Sequence, residues 1–296
     1  MWLFFVVTAH LLSAIVFVAD KYILAREVKS PIVYAFYNGI LSVFVFLLLP
    51  YVANFSKAWV IWPALASGIS FGLALIFFYR AILKNSTGRI IPLIGTLVPI
   101  FTFFLSHIFL AEKLNRNQSI AFYLLILGGI LITAERNRRN LFSRQGIAWS
   151  LGAACLFAIS FVLAKYTYEH SPFLTGFIWT RIGAIILALS IFLIPRYRRQ
   201  IKSAPKRAGI KVGASYLAVR SFSAVSFILL NYAIAIASVA IVNALQGVQY
   251  VFLMIIAIVL SKKLPALFAS EFKNQMAQRI IAIVLITFGL AILAFK

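Results

Sequence analysis

Residues 88–133 read GRIIPLIGTLVPIFTFFLSHIFLAEKLNRNQSIAFYLLILGGILIT, two apolar runs joined by a short charged elbow at Glu112–Asn117. The first run, Gly88–Leu110, is long enough to cross a bilayer as a helix, and the second, Gln118–Ala134, is near the lower limit. In the first run Pro92, Gly95, Thr96, Pro99, Thr102 and Ser106 recur at helical spacing and share one face. Prolines and small polar residues gain nothing against lipid tails. They suit a face lining a cavity, where freed backbone carbonyls meet water or a ligand. A stripe of small residues also lets helices pack closely, and both readings stand. Thr96 and Pro99 are the candidate site residues of this face.

The same kind of run fills the rest of the chain. Its 296 residues are 63% hydrophobic and 11% charged, with a mean hydropathy of +1.01, far from the balance of a soluble domain. The expected class is an all-α integral membrane protein. A formal net charge of +22 does not point to nucleic acid. The basic residues form no continuous or aromatic-interleaved face and sit in short connections, where the membrane surface and its lipids account for them. The single cysteine, Cys155, allows no intrachain disulfide. MWLFFVVTAHLL lacks the positive n-region and cleavage pattern of a signal peptide, so it reads as a retained first helix.

Ten apolar runs follow one another: Trp2–Leu24, Ile32–Leu49, Ala58–Tyr79, Gly88–Leu110, Gln118–Ala134, Gly146–Lys165, Phe173–Ile194, Val212–Ile236, Val239–Leu260 and Ala277–Phe295. Only Pro195–Lys211 and Ser261–Met276 are long connections, and LPALFASEFKNQ in the second is expected to form a surface-lying helix. The chain also repeats itself. Lys21-Tyr22 matches Lys165-Tyr166, Pro31 matches Pro172, Pro50 matches Pro195, LAEKL at Leu110–Leu114 matches LSKKL at Leu260–Leu264, and Gly129 matches Gly289. Five helices per copy is an odd number, so the second copy enters the membrane upside down. The expected fold is therefore ten transmembrane helices as two inverted five-helix repeats, residues 1–134 and 146–296, joined by a basic connection at 135–145 into a single membrane unit. Folds of this kind bind their ligand near the midplane, between the repeats.

On these features the sequence resembles the ten-helix, EamA-like branch of the drug/metabolite transporter superfamily. The helix count, the duplication, the Glu112 elbow, the Gly-rich fifth helix, Lys165 closing helix six and Arg181 in helix seven carry the resemblance. It implies transport, often export, of amino acids, other small metabolites or drugs. Two features depart from the pattern: Lys262 stands where the second elbow would carry its acid, and the connection between helices nine and ten is long.

All six acids lie in connections or near helix ends, and the first helix carries Leu11 and Ala14 at its middle, with no glutamate there. That is unlike the small multidrug exporters of the superfamily, which couple protons to cationic drugs through such a residue. The cations differ. Arg181 lies about 3–4 Å from the middle of its run at 1.5 Å per residue, where a charge costs at least ~2.5–3.5 kcal/mol and faces a cavity or a partner. Asn38 holds the corresponding place in the first repeat. Arg220 shares a face with Tyr216, Ser223 and Asn231, and helix nine offers Asn243, Gln246, Gln249 and Tyr250. The bland alternatives are snorkelling for Arg220 and Lys165, interhelical hydrogen bonding for the amides, and capping of helix carbonyls for Arg181. No intramembrane carboxylate is available to pair with either arginine. Arginine's planar fork suits a carboxylate or phosphate, so the expected substrate is a small molecule with an anionic group. Arg181 would hold that group, with Arg220 assisting and Asn243, Gln246 and Tyr250 contacting the remainder. His10, two turns into the first helix, is the candidate for proton coupling.

No cofactor or metal is expected, since three scattered histidines are not a ligand set. No hydrolase or nucleotide-binding motif occurs, so neither catalysis nor ATP drive is expected. The rival reading is a lipid translocator on the same fold, with an intramembrane enzyme ranking behind it. Connections after odd-numbered helices carry 18 Lys and Arg against four on the opposite face. By the positive-inside rule this places both termini outside a plasma (inner) membrane, whereas related transporters are commonly described with both inside.

Overall fold

A computed structural model describes residues 1–24, 30–52, 57–84, 87–133, 143–203, 209–261 and 276–295, and every regular element among them is helical. The first half contains α1 (Trp2–Leu24), α2 (Pro31–Leu41), α3 (Ala58–Lys84), α4 (Thr87–Leu110) and α5 (Arg116–Thr133). The second contains α6 (Arg144–Glu169), α7 (Phe173–Leu193), α8 (Pro195–Ser203), α9 (Gly209–Ile236), α10 (Val239–Ala244), α11 (Gln246–Ser261) and α12 (Met276–Ala294). All ten apolar runs are helical, but two are broken. The second run changes after Leu41 into a 3-10 segment, Ser42–Tyr51. The ninth is interrupted at Leu245, which separates α10 from α11. The surface helix expected in LPALFASEFKNQ lies outside the described residues.

Ten helices are compatible with the structure, though the described residues do not match that count span for span. Among the described residues, eight helices are long and apolar enough to cross a membrane. The other two of the ten are α5 and α12, the last helices of the two halves; among the described residues α12 carries the shorter apolar stretch Ile280–Ala294. They pack on each other. A Cβ on Gly128 would stand 2.6 Å from Ile286 Cγ1 and 3.0 Å from the Ala282 carbonyl oxygen. A Cβ on Gly289 would stand 3.0 Å from Leu125 Cγ and 3.3 Å from the Ala121 carbonyl oxygen. The equivalent residues are 128 and 289, 121 and 282, 125 and 286, always 161 positions apart. The contact is thus an antiparallel, self-complementary crossing. It also moves the register by one residue, because Gly128, not Gly129, is the counterpart of Gly289.

Other interfaces between the halves obey the same exchange. α3 packs on α6 as α9 packs on α1, and α4 packs on α6 as α11 packs on α1. Buried serines join the first two pairs. Ser67 Oγ donates to the Ser160 carbonyl at 2.8 Å and Ser160 Oγ donates to the Ser67 carbonyl at 2.9 Å. Ser226 Oγ donates to the Ala9 carbonyl at 2.7 Å and lies 2.6 Å from Ser13 Oγ. In a medium as apolar as the side chains, close van der Waals packing and such hydrogen bonds hold helices together.

One pair breaks the symmetry. α3 and α7 interlock, whereas their counterparts α9 and α2 share no substantial interface among the described residues. At the closed seam, a Cβ on Gly68 would overlap the Thr180 carbonyl oxygen, and one on Gly183 would overlap the Leu65 carbonyl oxygen. Among the described residues the α2–α9 seam shows no such lock.

Candidate functional site

One face of α9 organises the polar interior. Arg220, Phe227 and Asn231 lie along it, about 10 Å and then about 6 Å apart at 1.5 Å per residue. At the first level, Arg220 Cζ lies 5.7 Å from the ring centroid of Tyr34 on α2, and Tyr34 packs against Tyr79 of α3 at 4.3 Å. At the second, Arg181 of α7 is buried among Phe227 at 4.3 Å, Phe177 at 5.5 Å and Phe71 of α3 at 5.6 Å. At the third, the Tyr168 hydroxyl of α6 donates to Asn231 Oδ1 at 2.8 Å, and both residues are buried.

The Arg181 cage explains how the cation tolerates its position. Each ring presents the negative face of its quadrupole, worth about 0.5–2 kcal/mol per contact. No local sequence pattern marks the three rings together as its partners. Rings accept no strong hydrogen bond, however. The Arg181 Nε is buried without a hydrogen-bond partner among the described residues, so no described carbonyl caps that atom. Phe177 at i−4 was detectable as a helical neighbour; Phe71 and Phe227 are distant in sequence, and only the fold brings them in.

The remaining predicted residues gather elsewhere. Asn243, buried on α10, donates its amide to the Val239 carbonyl at 2.9 Å, within its own helix. Tyr250 of α11 is buried with its hydroxyl end against Gly95 of α4, on the helix that also carries the half-buried Thr96 and the buried Pro99. Gln246 opens α11 directly after the break at Leu245. His10 of α1 is buried beside Gln249 and the Val242 backbone, and its Nε2 has no hydrogen-bond partner among the described residues. Asn38 is half-buried on α2, next to Gly39, which packs against Ala184 and Ala188 of α7. The expected set is therefore two groups: the arginines with their rings on α7 and α9, and the amides, Tyr250 and His10 around the α10–α11 break. The Tyr216 side chain lies outside the described residues.

Two charges read as peripheral serve the turn between α9 and α10. Lys165 does not snorkel. It is buried, donating to the Ala235 carbonyl at 3.2 Å with Glu169 at 3.4 Å. Glu112 reaches from the α4–α5 elbow and accepts from the Val239 N–H at 3.1 Å, at the start of α10. A cation thus meets the carbonyl end of one helix and an anion the N–H end of the next, each complementing the helix dipole. Glu112→Ala should lower stability by about 1–2 kcal/mol, as loss of a cap does. Glu112→Gln should cost less because one acceptor remains. Thermal unfolding in detergent checks both; equal melting temperatures for wild type and Glu112→Ala would remove the cap from the argument.

An apolar cavity of about 140 Å³ lies between the 3-10 segment and α7, lined by Phe46, Leu49, Val52, Thr175, Ile178, Trp179 and Ile182. It includes neither arginine. Among the described residues no cluster of His, Cys, Asp and Glu is suited to a metal ion.

A spanning helical bundle with a buried arginine column invites comparison with known membrane families. Residues 1–134 match the EamA-like transporter family. That stretch coincides with the first expected repeat. A protein of Bacillus subtilis (strain 168) described as "Uncharacterized transporter YxxF" is 29% identical over 125 residues, covering 42% of this chain and 40% of that protein. The matched segment thus spans well under half of the relative's length. A solved structure described only as "Crystal structure of protein" matches with a TM-score of 0.67 at 17% identity, covering 99% of this chain and 96% of the other. That likeness concerns the fold alone, and it extends over both halves. The chain is a multi-pass membrane protein whose residues 1–134 are similar to the EamA-like transporter family.

Proposed function

We propose that the chain is a secondary transporter, working as an exporter, of small polar metabolites that carry an anionic group, such as amino or organic acids. Access would alternate between the α3–α7 and α2–α9 seams. The observation that carries this is Arg181: a buried guanidinium walled by three phenylalanines, its Nε without a hydrogen-bond partner among the described residues. The likeness of residues 1–134 to a transporter family supports the class of activity. His10 is proposed as the proton-coupling group because it is buried beside the α10–α11 break and its Nε2 has no hydrogen-bond partner among the described residues.

Purified protein in liposomes, screened against pooled amino acids, carboxylates and nucleosides with and without a pH gradient, should carry an anionic metabolite. Flux in the His10→Gln variant should lose its dependence on the gradient. Movement of labelled lipid without any metabolite flux would favour a lipid translocator; persistent gradient dependence in His10→Gln would move the coupling elsewhere.

The charge asymmetry of 18 to four supports an orientation with the α8 face in the cytoplasm and both termini outside. A reporter fused after Lys296 that is active only in the cytoplasm should stay silent. An active reporter reverses the assignment.

A further inference from the structure

α8 was legible only as a basic connection, but it is an amphipathic helix with a definite seat. It begins two residues after Leu193, and both Leu193 and Ile194 are exposed at the end of an apolar spanning helix. That places α8 at the boundary of the bilayer. Its sequence, PRYRRQIKS, turns Tyr197 and the buried Ile201 toward Val33 and Phe36 of α2 and Ile191 of α7. Arg196, Arg198, Arg199 and Lys202 are all exposed, and none makes an ion pair with a described residue. No acid lies in the helix. Two hydrogen bonds tie it to α2: Ser30 Oγ donates to Gln200 Oε1 at 3.1 Å, and the Tyr37 hydroxyl donates to the Ile201 carbonyl at 3.4 Å.

We propose that α8 binds anionic phospholipid headgroups and, through α2, sets the width of the α2–α9 seam. Four cations in one short helix at the bilayer edge, with no ion-pair partner among the described residues, complement an anionic lipid surface, and each adds favourable energy near such a surface. The apolar side anchors the helix on α2, so a pull on the cations is passed to α2 through Ile201 and the two hydrogen bonds. α2 is one wall of the seam that lacks an interlocking interface, bridged by the approach of Arg220 to Tyr34. On its other side α2 packs through Gly39 on Ala184 and Ala188 of α7, so the response is a movement of α2 together with α7 against α9.

The test uses the full chain in nanodiscs of phosphatidylcholine alone or mixed with phosphatidylglycerol. Spin-labelled phosphatidylglycerol should be retained at the protein surface in preference to phosphatidylcholine. Replacing Arg196, Arg198, Arg199 and Lys202 together by Gln should reduce that preference about fivefold or more, the loss expected from removing even one such contact. Spin labels at Ile32→Cys and Ala218→Cys, on a Cys155→Ser background, report the seam. Their distance distribution should differ between the two lipid compositions in the parent protein and coincide in the fourfold variant. In Ser30→Ala, which weakens the tie to α2, lipid preference should persist while the distance response shrinks. Equal retention of the two lipids, or a distance response that survives the fourfold substitution, overturns the proposal. Neither readout requires a transported solute, so this inference and the transport reading fail separately.

Discussion

Arg181→Gln is expected to abolish more than nine-tenths of anionic-substrate flux while the protein remains folded and recoverable. Arg181 is buried and stacked on Phe71, Phe177 and Phe227, and its Nε has no partner among the described residues. A hydrogen bond to a charged group is worth about 1.5–3 kcal/mol. A bidentate guanidinium–carboxylate pair lost in a dry site therefore corresponds to a loss of about tenfold to a hundredfold. Arg181→Lys keeps the charge and loses the fork, so it should fall between. Arg181→Met sharpens the test by separating function from fold. Keeping an ion in this cage costs several kcal/mol of desolvation, which three ring faces only partly offset. An apolar chain of similar length should then leave the melting temperature unchanged or raise it, while flux disappears. Normal flux in Arg181→Gln, or acceptance of cationic substrates only, would falsify the anion assignment.

The largest effect on folding is expected at the closed seam. Gly68→Ala should cost at least about 3 kcal/mol, at the upper end of overpacking penalties, and strongly reduce the yield of monodisperse protein. The added Cβ would overlap the Thr180 carbonyl oxygen and stand 2.7 Å from the Ala184 nitrogen, so only a backbone shift relieves it. Gly183→Ala meets the Leu65 backbone in the same way, with Leu65 C and Cα both at 2.9 Å. Gly72→Ala is the control. Its Cβ would meet only the tip of the Leu187 side chain, which can turn aside. Size-exclusion yield and thermal unfolding of the three variants should rank Gly72→Ala well above the other two. Similar behaviour of all three would show that α3 and α7 do not meet at Gly68 and Gly183.

That contrast illustrates what the sequence could and could not disclose. Gly68 and Gly72 form a GxxxG pair and were legible as a packing face, but their spacing does not say which one meets backbone and which a flexible side chain. The run Trp2–Leu24 was legible to the residue because apolar composition alone bounds a spanning helix. The duplication was legible through paired prolines, lysines and the elbow; its register at Gly128 and Gly289 needed the crossing itself. α8 was hidden because Tyr197 and Ile201 are too few apolar residues to register as a run, although their spacing is that of one helical face. Lys165 looked like a snorkelling end-of-helix cation, since nothing local marks the Ala235 carbonyl, 70 positions away, as its acceptor. Arg181 stood out by sequence because a mid-membrane charge is rare. Its cage did not, because phenylalanine is the commonest aromatic residue of the chain, at 28 positions, and only tertiary packing selects three of them.

The most direct measurement is counterflow in liposomes. Vesicles containing the purified protein and loaded with an unlabelled anionic metabolite should transiently accumulate the labelled compound above its external concentration. Empty vesicles, and loaded vesicles bearing Arg181→Gln, should not. A carrier that exposes one anion-binding site alternately to each side must show this overshoot, since outward movement of the unlabelled anion returns the site for labelled uptake. Flux that only follows its gradient with no overshoot, or scrambling of labelled lipid with no solute counterflow, contradicts alternating access at Arg181.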